Sequence, residues 1–348
     1  MYHLALGRPI NLESIAHDAE VGLSPRHVMW GISQRLGATI HQPSGHPVSL
    51  FDKIRSKMSS RPENWALARQ LSEQLDSNDT IFCTGEDVGI PIAILCGAKR
   101  NRPKIAVFFH NIDRPRGRLV MKLFRLADKI DLFVSNASLQ LDFLRNLGVS
   151  ESRLLMLPEQ TDTAFFTPGV STSNQQRPII ASVGLEKRDY RLLAEATADL
   201  DVDVKISGFS KDAIAMAKAF PETLPANMSH KFYSWPDLVQ LYRDADLVAV
   251  TVTENKFCAG LTSMLEAMAC QRPVVVTKTQ GLVDYLAHPG IATVVNSGDA
   301  KGLREAIQKL LNNPQEAQAQ ARCGYKLALE EHNSEHYIEV LAARLASL

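Results

Sequence analysis

The sequence lacks an excess of either charge. Its 348 residues include 38 lysines and arginines and 38 aspartates and glutamates, so the formal net charge at pH 7 is zero. A protein that binds nucleic acid through bulk positive charge needs a surplus of basic residues. The balance therefore excludes that class and predicts no nucleic-acid partner, although it leaves a local basic patch possible.

Long apolar runs and cysteine motifs are also missing. No stretch reaches the roughly 18 consecutive apolar residues of a membrane-spanning helix. The first residues lack the basic start and apolar run of a signal peptide. The five cysteines contain no C-x-x-C, and the ten histidines contain no H-E-x-x-H. We therefore expect a cytoplasmic protein with neither a disulfide framework nor a structural zinc site.

What the sequence does contain is a regular alternation of short apolar runs and amphipathic segments. The runs are rich in β-branched and aromatic residues, which is typical of strands buried on both faces of a parallel sheet. These predicted strands are 80–84, 105–110, 132–135, 154–157, 179–183, 204–207, 247–251 and 274–277. The predicted helices are 65–75, 118–127, 190–199, 238–244 and 261–269. The alternation predicts an α/β fold with right-handed crossovers.

A domain boundary is predicted near the middle of the chain. Residues 167–178 form the longest run of Pro, Gly, Ser, Thr, Asn and Gln, and a new strand follows directly. We therefore predict an N-terminal α/β domain over 1–168, a linker over 169–178, and a C-terminal α/β domain over 179–332.

The most informative stretch is 251–285. A strand ends near its start, a loop with Gly260 follows, and a helix opens at Thr262 or Ser263 before the next strand. In this arrangement backbone N–H groups and the positive end of a helix dipole face a phosphate. Glu266 lies four residues after Thr262, where a carboxylate can accept hydrogen bonds from ribose hydroxyls. For a lone glutamate, a solvated or capping role is the preferred interpretation.

The segment G-L-T-S-M-L-E-A-M-A-C-Q-R-P-V-V-V-T-K-T-Q-G-L-V-D-Y, which begins at Gly260, resembles the nucleotide-sugar signature of retaining, family-four GT-B glycosyltransferases. Further landmarks follow the order of that family, at 127–149, 154–168, 179–196 and 232–250. The resemblance implies two Rossmann-like domains that face each other across a cleft. It also implies an acceptor held mainly by the first domain and a UDP- or GDP-sugar held mainly by the second.

The resemblance further implies roles for individual residues. Lys187 and Arg188 would stabilise negative charge on the leaving diphosphate, and His110 would contact the donor sugar. The other expected donor-binding residues are Gly184, Cys258, Gly260, Leu261, Thr262, Ser263 and Glu266. The implied reaction is retaining transfer of a hexose to an acceptor hydroxyl, with no metal and no cofactor. The residues alone leave open a solvated basic pair and a structural histidine.

The sequence also departs from the family pattern. The family has a glutamate eight residues before the one that corresponds to Glu266, and Cys258 occupies that position here. A non-catalytic nucleotide- or glycan-binding protein on the same fold is therefore the alternative function. A Rossmann oxidoreductase is disfavoured, because no G-x-G-x-x-G follows an early strand.

Two other segments carry expectations. Residues 114–129 are basic and amphipathic. This pattern indicates peripheral contact with anionic lipid at the inner membrane face, or contact with an anionic acceptor. The alternative is a solvated helix whose apolar side packs on its sheet. Residues 333–348 predict a helix that starts at Ser334, with one apolar face formed by Tyr337, Ile338 and Leu341. The resemblance implies that this helix crosses back to the N-terminal domain.

Overall fold

The computed structural model describes residues 1–174, 176–208 and 217–348; Gln175, in the predicted linker, lies outside these ranges. Contacts divide the chain into two compact units. Unit 1 consists of Met1–Ala16, His27–Pro158 and Glu335–Leu348. Unit 2 consists of His17–Arg26 and Glu159–Ser334.

Unit 1 contains a parallel sheet with strand order β2-β1-β3-β4-β5-β6. The strands are β1 (Tyr2–Ala5), β2 (Thr39–His41), β3 (Thr80–Cys83), β4 (Lys104–Phe108), β5 (Leu132–Ser135) and β6 (Leu154–Met156). The helices before β4 are α1 (Leu12–Glu20), α2 (Val28–Leu36), α3 (Leu50–Ser56), α4 (Pro62–Gln74) and α5 (Glu86–Leu95). Those after β4 are α6 (Pro115–Leu123), α7 (Leu126–Lys129) and α8 (Ser138–Asn146).

Unit 2 contains a second parallel sheet, with strand order β12-β11-β10-β7-β8-β9. The strands are β7 (Ile179–Val183), β8 (Asp203–Ser207), β9 (Met228–Lys231), β10 (Leu247–Val250), β11 (Val274–Lys278) and β12 (Thr293–Asn296). Its described helices are α9 (Tyr190–Thr197), α10 (Trp235–Asp244), α11 (Leu261–Ala269), α12 (Ala300–Asn312) and α13 (Pro314–Glu331). The last helix of the chain is α14 (Ser334–Ala346).

Each sheet is covered by apolar packing on both faces, as the continuous apolar runs predicted. Successive residues of a strand point to opposite faces. Ile81 of β3 accordingly belongs to one buried cluster of unit 1 and Phe82 to the other. In unit 2, Val248 and Ala249 of β10 divide between two clusters in the same way. The two sheets with their flanking helices are two Rossmann-like halves, which confirms the predicted α/β fold class.

The helix α14 begins at Ser334, as predicted, and its apolar face packs within unit 1. Tyr337 and Leu341 are buried in the same cluster as Leu4 of β1, and Ile338 packs against that cluster. A Cβ atom on Gly31 of α2 would lie 2.4 Å from Cδ1 of Ile338. The glycine therefore allows α2 and α14 to approach closely.

Three sequence expectations differ from the structure. The strands β1, β2, β9 and β12 were not predicted, because they are short and, at the sheet edges, partly polar. The basic segment 114–129 is two helices rather than one, since the backbone turns left-handed at Arg125 (φ 50°). Residues 159–168 group with unit 2, where the buried carboxylate of Asp162 pairs with Arg26 and Phe166 joins the core.

Candidate functional site

The carboxyl ends of β7 and β10 lie where the strand order of unit 2 reverses. The chain runs from β7 outwards to β8 and β9 on one side, and from β10 to β11 and β12 on the other. Connections that leave two neighbouring strands in opposite directions open a crevice at their carboxyl ends, and ligands of open α/β sheets bind there. We call this the unit 2 switch point; residues 184–189 and 251–260 form its two loops.

The two loops are joined by backbone hydrogen bonds. The N–H of Asp189 donates to the carbonyl of Thr251 at 3.0 Å, and the N–H of Thr253 donates to the carbonyl of Lys187 at 2.9 Å. These bonds flank an antiparallel bridge between Arg188 and Val252. The loops therefore form one fixed backbone layer rather than two independent segments.

The guanidinium of Arg188 lies inside this layer. The residue is only 7% exposed. Its Nε donates to the carbonyl of Val183 at 2.8 Å, and its Nη2 donates to Oγ of Ser263 at 2.9 Å. Burial lowers its pKa, whereas the nearby Glu266 acts in the opposite direction. Because arginine stays protonated in proteins, the switch point holds a buried positive charge that joins the end of β7 to the first turn of α11.

Two glycines leave room for this guanidinium. Gly184 has φ 118°, and a Cβ atom there would lie 2.0 Å from Nη2 of Arg188. Gly260 has φ 90°, and its Cβ atom would lie 2.7 Å from Cγ1 of Val250 and 3.4 Å from Nη1 of Arg188. Any side chain at either position would meet both an unfavourable backbone conformation and a filled space.

The amino end of α11 completes the switch point. Gly260 is the N-cap and has no side chain that can occupy the N–H groups of the first turn, which consists of Leu261, Thr262 and Ser263. Leu261 and Ser263 are buried, and Thr262 is exposed. The N–H of Leu261 donates to the carbonyl of Cys258 at 3.2 Å, which leaves the N–H groups of Thr262 and Ser263, together with the helix dipole, to favour an anion. Together with the charge of Arg188, they form a site that favours a phosphate group.

Glu266 lies in the second turn of α11 and is buried. The hydroxyl of Tyr242 donates to its Oε2 at 2.7 Å. Burial raises the pKa of Glu266 to about 7, and the Tyr242 hydrogen bond and the charge of Arg188 only partly oppose this rise. The carboxyl group therefore titrates near neutral pH.

Lys187 and Cys258 differ in their surroundings. Lys187 is exposed, and its backbone is left-handed, with φ 57°. The thiol of Cys258 is partly buried and donates to the carbonyl of Gly281 at 3.3 Å, and burial raises its pKa. Cys258 is therefore neutral, unlike the glutamate of the family pattern.

Within the described ranges, no group of three or more His, Cys, Asp or Glu residues is placed to hold a metal ion.

His110 belongs to unit 1, whereas the other nine predicted site residues belong to unit 2. It is exposed just beyond β4. Its N–H donates to Oε2 of Glu86 at 2.9 Å, and its Nε2 lies 3.3 Å from the carbonyl oxygen of Thr84. The ring is thus held at the carboxyl edge of the sheet of unit 1.

Unit 1 has its own switch point, between β1 and β3. A Cβ atom on Gly7 would lie 2.7 Å from Oδ2 of Asp87, and one on Gly85 would lie 2.8 Å from Oδ1 of the same residue. Asp87 also lines a cavity of about 520 Å³, whose wall includes Ser59 and Asn111. Asp87 could not be identified from the sequence, because acidic residues are common in the first turn of a helix.

Two tyrosines of unit 2 were also not identified from the sequence. Tyr242 holds Glu266, and the hydroxyl of Tyr190 donates to the carbonyl of Gly184. Both residues lie on helices that pack against the sheet, so their apolar rings account for their positions in the sequence pattern. Only the folded structure brings their hydroxyl groups to the switch point.

Comparisons with known proteins agree with this geometry. Residues 169–327 match the family described as glycosyl transferases group 1. The D-inositol 3-phosphate glycosyltransferase of Corynebacterium jeikeium is 26% identical over 214 residues, which are 54% of this chain and 50% of that protein. The enzyme of the same name from Segniliparus rotundus is 26% identical over 263 residues, covering 68% of this chain and 57% of its own length. The chain thus spans about half the length of these relatives.

Solved structures with the same fold cover the whole chain. Anabaena HepE in complex with UDP and glucose has a TM-score of 0.73 at 16% identity, with 100% of both chains covered. The sucrose-phosphate synthase of Thermosynechococcus elongatus has a TM-score of 0.74 at 15% identity, with 100% of this chain and 99% of that chain covered. These findings confirm the resemblance seen in the sequence: the chain has the GT-B fold, and its residues 169–327 match the glycosyl transferases group 1 family.

Proposed function

We propose that the protein transfers a hexose from a nucleotide-sugar, UDP- or GDP-linked, to an acceptor hydroxyl with retention of anomeric configuration. The observation that carries this proposal is the unit 2 switch point, where Gly184 and Gly260 leave room for the buried Arg188 beside the amino end of α11. The relatives are named as glycosyltransferases, and HepE was solved with UDP and glucose, which supports a nucleotide-sugar donor.

In the proposed reaction, the bond between the anomeric carbon and the diphosphate breaks, and negative charge develops on the leaving phosphate. The N–H groups of Thr262 and Ser263 would bind the phosphate oxygens, and Arg188 would supply a fixed positive charge behind them. Lys187, on the exposed loop tip, would add a second cation. We propose that these groups carry the charge without a metal ion or other cofactor. Glu266 would accept hydrogen bonds from the ribose hydroxyls.

We further propose that unit 1 binds the acceptor. The exposed ring of His110 would contact the donor sugar, and the carboxylate of Asp87 would accept a hydrogen bond from an acceptor hydroxyl beside the cavity. Neither group is placed as a nucleophile by its contacts, which favours substitution on the front face of the sugar. The leaving phosphate oxygen would then take the proton of the attacking hydroxyl. Residues 114–129 would make peripheral contact with an anionic surface.

A second candidate is a non-catalytic nucleotide- or glycan-binding protein. One observation favours it: the thiol of Cys258 is neutral and donates to a backbone carbonyl, where the family has a carboxylate. Without that carboxylate, a donor sugar would lose one charged hydrogen-bond acceptor, which costs about 1.5–3 kcal/mol of binding. The nucleotide part of the site does not depend on this residue.

One experiment separates the two candidates. The thermal midpoint of the purified chain is measured with UDP, GDP, ADP and their sugars, because a ligand that binds only the folded state raises the midpoint. Any nucleotide-sugar that raises it is then incubated with acceptor sugars and lipids, and nucleotide release and product mass are followed. We expect a shift with a UDP- or GDP-sugar and acceptor-dependent release. A shift without release or product would favour the binding protein, and no shift with any nucleotide would refute both.

A further inference from the structure

Two leucines of α6 are exposed. Leu119 and Leu123 are 63% and 62% exposed, whereas Val120 and Met121 on the opposite side are buried. Arg116, Leu119 and Leu123 follow one another at spacings of three and four residues, so they share one face of the helix. The sequence left open that the apolar side of 114–129 packs on the sheet. Leu119 and Leu123 do not pack there, whereas Leu126 of α7 is buried.

A second exposed apolar stripe lies on α3. Leu50, Phe51 and Ile54 are 72%, 70% and 52% exposed, and Met58 just beyond the helix is 38% exposed. Large apolar side chains that stand together in water generally mark an interaction site. Helix α3 was not predicted from the sequence.

The segments that carry the two stripes meet at one cavity of unit 1. Ser59, which follows Met58 directly, lines the same cavity as Gly117 and Val120 of α6. The cavity wall therefore joins the turn after α3 to the first turns of α6. We call the combined surface of residues 50–58 and 114–125 the α3–α6 surface.

The charge of the α3–α6 surface has one sign. Its two segments contain eight basic residues and one acidic residue. That acid, Asp52, is fully buried and pairs with Arg69. Arg114, Arg118 and Arg125 form ion pairs with acidic residues outside the two segments. Across the described parts of the chain, four further cations of the surface form no ion pair: Lys53, Lys57, Arg116 and Lys122.

We infer that the α3–α6 surface docks on an anionic lipid bilayer. Exposed leucine, isoleucine and phenylalanine side chains would enter the interface between headgroups and acyl chains, and the unpaired cations would lie at the level of the lipid phosphates. Among the described residues, no helix is long and apolar enough to cross a membrane, so the contact would be peripheral. This inference extends the membrane contact of the proposed function to α3, but it does not rest on sugar transfer.

The experiment is flotation of the full chain with vesicles of neutral phosphatidylcholine, with and without about 30% phosphatidylglycerol. We expect binding to the anionic vesicles that weakens as salt rises, because screening shortens the reach of surface charge. Lys122→Gln should lower the partition coefficient about fivefold, since one basic residue near an anionic surface contributes about 1 kcal/mol. The matched control is Arg322→Gln on α13, an exposed cation outside the surface.

The apolar half of the surface needs a separate variant. A double variant with Phe51→Ser and Leu119→Ser should lower the partition coefficient more than tenfold. The control is Val170→Ser, at an 83% exposed valine of unit 2, which should leave the partition coefficient unchanged. Folding is checked by the thermal midpoint, and UDP binding is measured in parallel. Loss of vesicle binding with intact UDP binding supports the inference. Equal binding to neutral vesicles, or no vesicle binding by the folded protein, would overturn it.

Discussion

Each of the two switch points holds a charged side chain against two glycines, and the two charges have opposite signs. In unit 2, the guanidinium of Arg188 lies against Gly184 and Gly260; in unit 1, the carboxylate of Asp87 lies against Gly7 and Gly85. A side chain on any of the four glycines would approach the charged group closely. Fold alone therefore does not decide what a Rossmann-like unit binds. The sign of the charge beside the glycines favours a phosphate in unit 2 and hydroxyl donors in unit 1.

Burial strengthens this contrast. Arg188 is buried and bonded to the end of β7 and to the first turn of α11, whereas Asp87 is exposed. A charge held in a low-dielectric environment acts more strongly on a ligand than one in water. We therefore expect the largest effects from changes in unit 2.

The first prediction tests the charge of unit 2. Arg188→Met should lower transfer by about 10²–10³-fold, as removal of one preorganised donor does in other charge-stabilising sites. Affinity for the nucleotide should fall with it. Because removal of one buried charged group also costs stability, the loss of transfer counts only if the thermal midpoint shows that the variant is folded at the assay temperature. The measurement is steady-state kinetics together with the thermal midpoint.

Its matched control is Arg191→Met, at an exposed arginine in the first turn of α9. This variant should transfer sugar as well as the unmodified chain. A folded Arg188→Met protein that retains full turnover would show that Arg188 only holds the loops together.

The second prediction tests the charge of unit 1. Asp87→Asn should raise the KM for the acceptor at least about tenfold, since a hydrogen bond to a charged group contributes about 1.5–3 kcal/mol. The affinity for the nucleotide should not change. Glu63→Gln is the control, because Glu63 occupies the first turn of α4 as Asp87 does in α5, but lies away from the glycines. If both variants raise the KM equally, or if Asp87→Asn weakens nucleotide binding instead, the contrast between the units fails.

The third prediction concerns the glycines. Gly184→Ala should destabilise the protein by about 1–3 kcal/mol through overpacking against Arg188, in addition to about 1 kcal/mol for its positive φ. Gly290→Ala separates the two contributions, because Gly290 also has a positive φ (79°) but no atom within 4 Å of its Cβ position. Urea unfolding of both variants gives the difference. If both variants lose the same free energy of unfolding, Arg188 moves aside easily and the site is less rigid than the contacts indicate.

Much of the unit 2 switch point could be predicted from the sequence, because its parts are close along the chain. The strand before Gly260, the helix α11 and the strand after it follow one another within 251–285, and each has a strong local pattern. Buried central strands such as β5 and β7 were predicted with their observed bounds for the same reason. The edge strand β9 was missed, since it is polar and exposed over most of its length.

The remaining features depend on contacts between distant residues. The hydrogen bond from Tyr242 to Glu266 joins two helices, and the approach of Asp87 to Gly7 joins the first turn of α5 to the loop after β1. An amphipathic pattern also does not tell which side of a helix the protein covers. Leu119 and Leu123 fit a helix that packs on its sheet, yet Val120 and Met121 take that role. Such features depend on tertiary packing, which local periodicity does not determine.

The fourth prediction concerns Glu266, whose pKa is raised by burial to about 7 from an ordinary value of 4.5. The folded state then holds this proton more tightly than the unfolded state does. Stability contributed by Glu266 is therefore greatest below the unfolded pKa and falls as pH rises from about 4.5 to about 7, by on the order of 3 kcal/mol. Glu266→Gln should remove this decline, whereas Glu195→Gln, at an exposed glutamate of α9, should retain it.

The same titration would affect the donor. If the carboxylate of Glu266 accepts hydrogen bonds from ribose hydroxyls, binding favours its deprotonated form, and UDP-glucose should bind more weakly at about pH 6 than at about pH 8. A sugar nucleotide is preferred to UDP here, because its diphosphate does not titrate in this range. Calorimetry at both pH values, repeated with Glu266→Gln, measures the effect. If that variant keeps both the affinity and its pH dependence, Glu266 has only a packing role with Tyr242, and the contrast between the units rests on Arg188 and Asp87 alone.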